Sequence, residues 1–134
     1  MRLANWTELD GSGASFDSSA GFTLPNGAKR SPDAAWVRRE VWEALTAEQQ
    51  DEFAPVCPEF AVELRSPTDS LAELQEKMKE YIENGTQLGW LFDPKRKRAF
   101  VYRPNQPAEL LEDPSSMSGD PVLPGFVFDP REIW

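Results

Sequence analysis

Residues 59–65 alternate in character: Phe60, Val62 and Leu64 fall on one side, and Glu59, Ala61, Glu63 and Arg65 on the other. A period of two predicts a strand with one greasy face, leaving Glu63 and Arg65 together on the opposite one. The period then changes. Leu71, Leu74, Met78 and Ile82 form an apolar stripe at helical spacing, Asp69 or Ser70 can cap its start and Gly85 its end, so a helix is predicted over residues 70–84. Apolar runs at 87–92 and 99–102 flank Asp93-Pro94-Lys95-Arg96-Lys97-Arg98 and predict a hairpin with the basic stretch at its tip. Upstream, residues 34–37 read as a short strand after Ser31-Pro32-Asp33, and 46–53 as a helix with Thr46 and Gln49 at capping-box spacing. Residues 16–17, 22–24, 108–111 and 125–128 are shorter strand candidates, and Asp129-Pro130 can start a final helical turn. There is no repeat or low-complexity segment, and 12 prolines enforce turns. The pattern predicts a mixed α/β sandwich, a single domain over residues 1–134.

Composition narrows the chemistry. A chain of 134 residues can build a hydrophobic core without a structural metal or disulfide. Its 14 basic and 23 acidic residues give a net charge of −9, which opposes non-specific coating of nucleic acid or an anionic membrane. The charge is segregated along the chain. Lys95, Arg96, Lys97, Arg98 and Arg103 are neighbours in sequence, whereas residues 104–134 hold Glu109, Glu112, Asp113, Asp120, Asp129 and Glu132 against Arg131 alone. With a screening length of about 8 Å at physiological salt, such a cluster can attract phosphate on a chain that is negative overall. The absence of histidine removes Ser-His-Asp and Cys-His nucleophiles, His-ligated zinc and the imidazole base. Cys57 is the only cysteine, which excludes an intrachain disulfide or a Cys-x-x-Cys pair and fits a reducing, cytoplasmic setting. Residues 1–11 lack the apolar centre of a signal peptide, and the run 88–92 is far short of the ~20 residues of a membrane helix, so no membrane partner is expected.

The scheme left open is a hard cation held by carboxylates with a lysine or arginine beside it. Asp33 stands at the mouth of one predicted strand and Glu63 inside another; Arg65 follows Glu63 by two and shares its face. Lys77 is a second candidate cation, at the edge of the apolar stripe and one turn from Tyr81. Carboxylates on two adjacent strands suit Mg²⁺, whose acidified water can attack a phosphodiester in line. Each residue also has a plainer reading. Glu63 and Arg65 can be a same-face ion pair, Asp33 a turn residue, Lys77 a snorkelling lysine and 95–98 a solvated hairpin tip. Spacing alone does not choose between them.

The stretches SPDAAWV (31–37) and CPEFAVELRSPTDSLAELQEKMKEYIENGTQLGWLFDPKRKRAFVYRP (57–104) resemble the Uma-two family, bacterial proteins classed with the restriction endonucleases of the PD-(D/E)XK nuclease superfamily. The likeness runs from Asn5 to Trp134 and is most specific at ELRSPTD (63–69) and at the helix carrying Lys77 and Tyr81. It implies an α/β (α+β) fold with a restriction-endonuclease-like core, a central mixed β-sheet flanked by helices. The implied reaction is Mg²⁺-dependent hydrolysis of DNA phosphodiesters, with Mn²⁺ able to serve in vitro. On this resemblance Asp33 and Glu63 are the metal ligands. Lys77 takes the part of the superfamily lysine, which is not found two residues after Glu63, and Arg65 becomes secondary as a catalytic cation. Tyr81, Lys95, Arg96, Lys97 and Arg98 are the expected DNA contacts.

Family members usually carry a further N-terminal segment, with a helix packed on the core, before the part matching Met1. Residues 3–9, with Leu3, Trp6 and Leu9 near helical spacing, are the expected remnant of that helix. A core face left bare would favour self-association into a homo-oligomer, a dimer being the simplest. A second function class therefore stands beside the nuclease: a catalytically inactive relative acting as a protein-interaction or oligomerisation module.

Overall fold

The computed structural model describes residues 2–134. Its helices are α1 (Leu3–Asp10), α2 (Arg39–Glu43), α3 (Ala47–Asp51) and α4 (Leu71–Glu83). Its strands are β1 (Gly13–Asp17), β2 (Gly21–Thr23), β3 (Lys29–Arg30), β4 (Ala34–Arg38), β5 (Phe53–Ala54), β6 (Phe60–Leu64), β7 (Leu88–Asp93), β8 (Arg98–Tyr102), β9 (Glu109–Glu112), β10 (Met117–Ser118) and β11 (Val127–Phe128). Six of them form the central sheet in the order β1-β4-β6-β7-β8-β9. Within it β6 and β7 are parallel and every other neighbouring pair is antiparallel, so the sheet is mixed. A parallel pair needs a long crossover, and α4 supplies it between β6 and β7. Ser70 opens that helix by accepting the N–H of Glu73, as its capping position requires.

Apolar side chains cover both faces of the sheet. On one face Trp36, Phe60, Val62, Trp90 and Phe92 pack beneath Leu3 and Trp6 of α1 and beneath Met117, Leu123, Phe126 and Phe128 of the C-terminal stretch. Phe60 meets Trp90 edge-on with ring centroids 4.9 Å apart, a favoured aromatic geometry. On the other face Ala35, Val37, Ala61 and Leu91 pack beneath Leu74, Met78 and Tyr81 of α4 and beside Phe22 and Ala54 of a small β3-β2-β5 sheet and Leu24 just after β2. The bare core face expected from the sequence is therefore not there: α1 forms and, with the C-terminal stretch, covers it.

The larger predicted elements form close to where the pattern puts them, including the Thr46/Gln49 capping box and the β7–β8 hairpin. Strand β6 departs from its one-faced reading. It lies between β4 and β7, so Ala61 and Glu63 are buried under α4 while Leu64, at the strand end, is exposed. Elements β3, α2, β5 and β10 are too short to show a period; Phe53, expected in a helix, instead starts β5 opposite Gly21. Among the described residues no helix is long and apolar enough to cross a membrane.

Candidate active site

The pairing of β4 with β6 ends at Ala34 opposite Val62, which leaves the next amide of β6 without a backbone acceptor from β4. The Asp33 side chain takes that place, its Oδ2 accepting the N–H of Leu64 at 2.7 Å. This bond fixes the Asp33 carboxylate across the strand end from Glu63. Glu63 is 5% exposed. Its Oε2 accepts the Tyr81 hydroxyl at 2.8 Å, and the Lys77 ammonium lies 3.9 Å from Oε1. Lys77 and Tyr81 are four residues apart, and that spacing brings both to the same side of α4. Tyr81 is fully buried, whereas Lys77 keeps about a third of its side chain in solvent.

Burial pushes the Glu63 carboxyl up to about 7, opposed by Lys77 and the Tyr81 hydrogen bond and reinforced by Asp33. The Tyr81 hydroxyl is raised strongly, first by burial and then by the negative Glu63. Holding Glu63 ionised beside Asp33 thus takes positive charge, and Lys77 supplies only part of it. The donors on offer are hard carboxylate oxygens, which suit Mg²⁺ or Mn²⁺ and not a thiophilic metal. Among the described residues no group of three or more His, Cys, Asp or Glu side chains is arranged around a metal position. Mg²⁺ does not require one, because it keeps several waters and commonly takes one or two protein carboxylates together with substrate phosphates. The residues present fit that ion.

Of the candidates, Asp33, Glu63, Lys77 and Tyr81 come together. Arg65 goes elsewhere. The expected Glu63–Arg65 ion pair is replaced by one between Arg65 Nη1 and Asp93 Oδ2, at 3.3 Å. The register explains this: β6 runs parallel to β7 with Leu64 opposite Phe92, so Arg65 emerges beside Asp93. Arg98 leaves the hairpin tip for the same oxygen, its Nε 3.0 Å from Asp93 Oδ2, while Lys95, Arg96 and Lys97 remain exposed. Arg103 lies at the far end of β8 from this group and donates to the Asp120 carbonyl.

The sequence pattern places Asp93, the hub of the cluster, in the hairpin turn. It is the last residue of β7 and 2% exposed. The available signal was its position two residues after Leu91, which returns it to the face under α4. Arg30 and Glu80, paired at 2.7 Å, form a further ionic contact whose positive charge acts on Tyr81. No sequence period marks that pair.

The same fold occurs in a crystal structure described as "a putative nuclease belonging to DUF820" from Anabaena variabilis ATCC 29413, with a TM-score of 0.77 and 22% identity, covering 96% of this chain and 72% of that one. The central mixed sheet with its helices is thus the fold of that protein as well. The profile of the Uma2 (Uma-two) family, described as "Putative restriction endonuclease", matches residues 1–131, and the chain belongs to that family. A search among curated proteins finds no match.

Proposed function

We propose that the chain is a Mg²⁺-dependent DNA endonuclease in which Asp33 and Glu63 hold the ion and Lys77 is the catalytic cation. The reading is carried by the convergence of a buried Glu63, Asp33 and Lys77 at one end of the β4–β6 pair, in a chain of the Uma2 family. Asp33 and Glu63 offer anionic oxygens from a sheet end that the Asp33–Leu64 hydrogen bond keeps rigid. Tyr81 holds Glu63 Oε2 and so orients the carboxylate, leaving Oε1 toward Lys77. The Lys77 ammonium is placed to orient a water and to offset negative charge developing on phosphorus. The bound ion supplies Lewis acidity and a more acidic water. Lys95, Arg96 and Lys97, exposed on the turn, serve as DNA contacts.

The test is a calorimetric Mn²⁺ titration of the parent and of Glu63→Gln, alongside nicking of supercoiled DNA in Mg²⁺. Binding and nicking by the parent, with both lost in the variant, are expected. A variant that binds Mn²⁺ and cuts DNA like the parent overturns the assignment. The alternative as an oligomerisation module drew on a bare core face, and α1 with the C-terminal stretch occupies that face.

A further inference from the structure

A cleft of about 400 Å³ lies at the β6 and β7 ends, lined by Arg65, Ser66, Pro67, Asp93, Pro94, Lys95 and Arg96. Its one lining acid, Asp93, is buried and already engaged by Arg65 and Arg98. Asp69, just outside the lining, is occupied by the Ser66 amide and hydroxyl. The positive charge of Lys95 and Arg96 is therefore uncompensated within the cleft, on a chain whose net charge is −9. Arg65 is also held in place. Its Nε donates to the Asp69 carbonyl and its Nη1 to Asp93, which leaves Nη2 for a ligand. Arg98 is held over the Phe100 ring, 5.3 Å from its centroid. A held guanidinium, that of Arg65, with the exposed cations Lys95 and Arg96 beside it around a concave surface matches a phosphate group.

We infer that this cleft binds a backbone phosphate of the nucleic-acid strand, adjacent to the phosphate presented to Asp33 and Glu63. The inference rests on the proposed DNA reading of the carboxylate site. Glu63 and Arg65 are two residues apart along β6 and its continuation, about 7 Å between Cα atoms, which is comparable to the spacing of neighbouring phosphates on one strand. Arg65 is thereby a substrate-binding residue that sets the register of the strand, and not the cation of the chemical step. Asp93 is the positioning residue that keeps Arg65 and Arg98 in place.

The test is fluorescence anisotropy of a short labelled oligonucleotide without terminal phosphates, in EDTA so that nothing is cut, at several salt concentrations. The parent is expected to bind. Lys95→Ala/Arg96→Ala, on an exposed turn and so safe for folding, is expected to bind at least tenfold more weakly. Its slope of log affinity against log salt should be smaller by about 0.7 for a single strand or 0.9 for a duplex, the loss of one phosphate contact. Arg65→Gln, checked for folding by circular dichroism, is expected to weaken binding similarly, whereas Lys29→Ala, on β3, should leave it unchanged. Three results overturn the inference: no binding by the parent, parent-like binding by both cleft variants, or competition by polyglutamate as effective as that by unlabelled oligonucleotide. The two readings fail separately. Binding through the cleft without cleavage in Mg²⁺ would sustain the phosphate site and sink the nuclease; cleavage with unaffected cleft variants would do the reverse.

Discussion

The Tyr81 hydroxyl donates to Glu63 Oε2 at 2.8 Å, and both side chains are buried between α4 and the central sheet. A helix residue thus holds the strand carboxylate. Tyr81→Phe keeps the ring packing and removes that bond. A buried hydrogen bond to a charged acceptor contributes about 1.5–3 kcal/mol, so Tyr81→Phe should lower the urea unfolding free energy by that amount at pH 8. At pH 5, where Glu63 is protonated and has a proton of its own to donate, the loss should be smaller. Equal losses at the two pH values would contradict the ionic character given to the bond.

Glu63 makes the metal-free protein less stable at higher pH. Its folded carboxyl stands at about 7 against an ordinary 4.5, so the folded state holds this proton more tightly than the unfolded one. The associated stability is fully present below pH 4.5 and is lost as pH rises through 7, on the order of 3 kcal/mol in total. Glu59, also raised by burial, slopes the same way, so the comparison must be with Glu63→Gln. Thermal melts in EDTA should show the parent falling more steeply than the variant between pH 5 and 8. Parallel curves would place Glu63 in a wetter site than the one described.

Asp33 has two tasks that substitution can separate. Asp33→Asn keeps an oxygen for the Leu64 amide and removes the charge; it should fold with stability within about 1 kcal/mol of the parent and lose Mn²⁺ affinity. Asp33→Ala loses the acceptor as well and should cost a further ~1–2 kcal/mol. If Asp33→Asn titrates with Mn²⁺ like the parent, Asp33 is a ladder residue only.

Asp93→Asn should be the most damaging change of a charged residue near the hairpin. It removes the shared negative partner of Arg65 and Arg98, whose side chains are 26% and 18% exposed. Breaking a fully buried pair costs roughly 3–5 kcal/mol, and the partial exposure of both arginines reduces this to about 2–3 kcal/mol. Denaturant melts check the figure; a loss below 0.5 kcal/mol would mean that the arginines are equally well satisfied by water.

The helix carrying Lys77 and Tyr81 was readable from its stripe, and the hairpin from its flanking apolar runs, because each has a period long enough to see. The burial of Glu63 was not readable. Alternation in β6 distinguishes two faces, but it does not say that α4 returns to cover the polar one. The residue pattern offered Asp33 and Glu63 as carboxylates on neighbouring strands, but their meeting depends on the antiparallel register of β4 and β6, a long-range fact that spacing does not contain, and the family resemblance was what favoured it over the plainer readings. The partner of Arg65 is hidden from the sequence for a related reason. That partner depends on β7 running parallel to β6, and nothing local in ELRSPTD encodes the neighbour across the sheet.

Because β6 has hydrogen-bonded neighbours on both sides and packed layers above and below, its amides should be among the slowest in the molecule to exchange with deuterium. Moving the backbone that carries Glu63 would then require an opening close to global unfolding. The carboxylate end is a fixed anvil, and adjustment to a long polymer must come from its margins. The turn at Pro94–Arg96, bearing Lys95 and Arg96, and the solvent-reaching end of Lys77 are the parts free to give way.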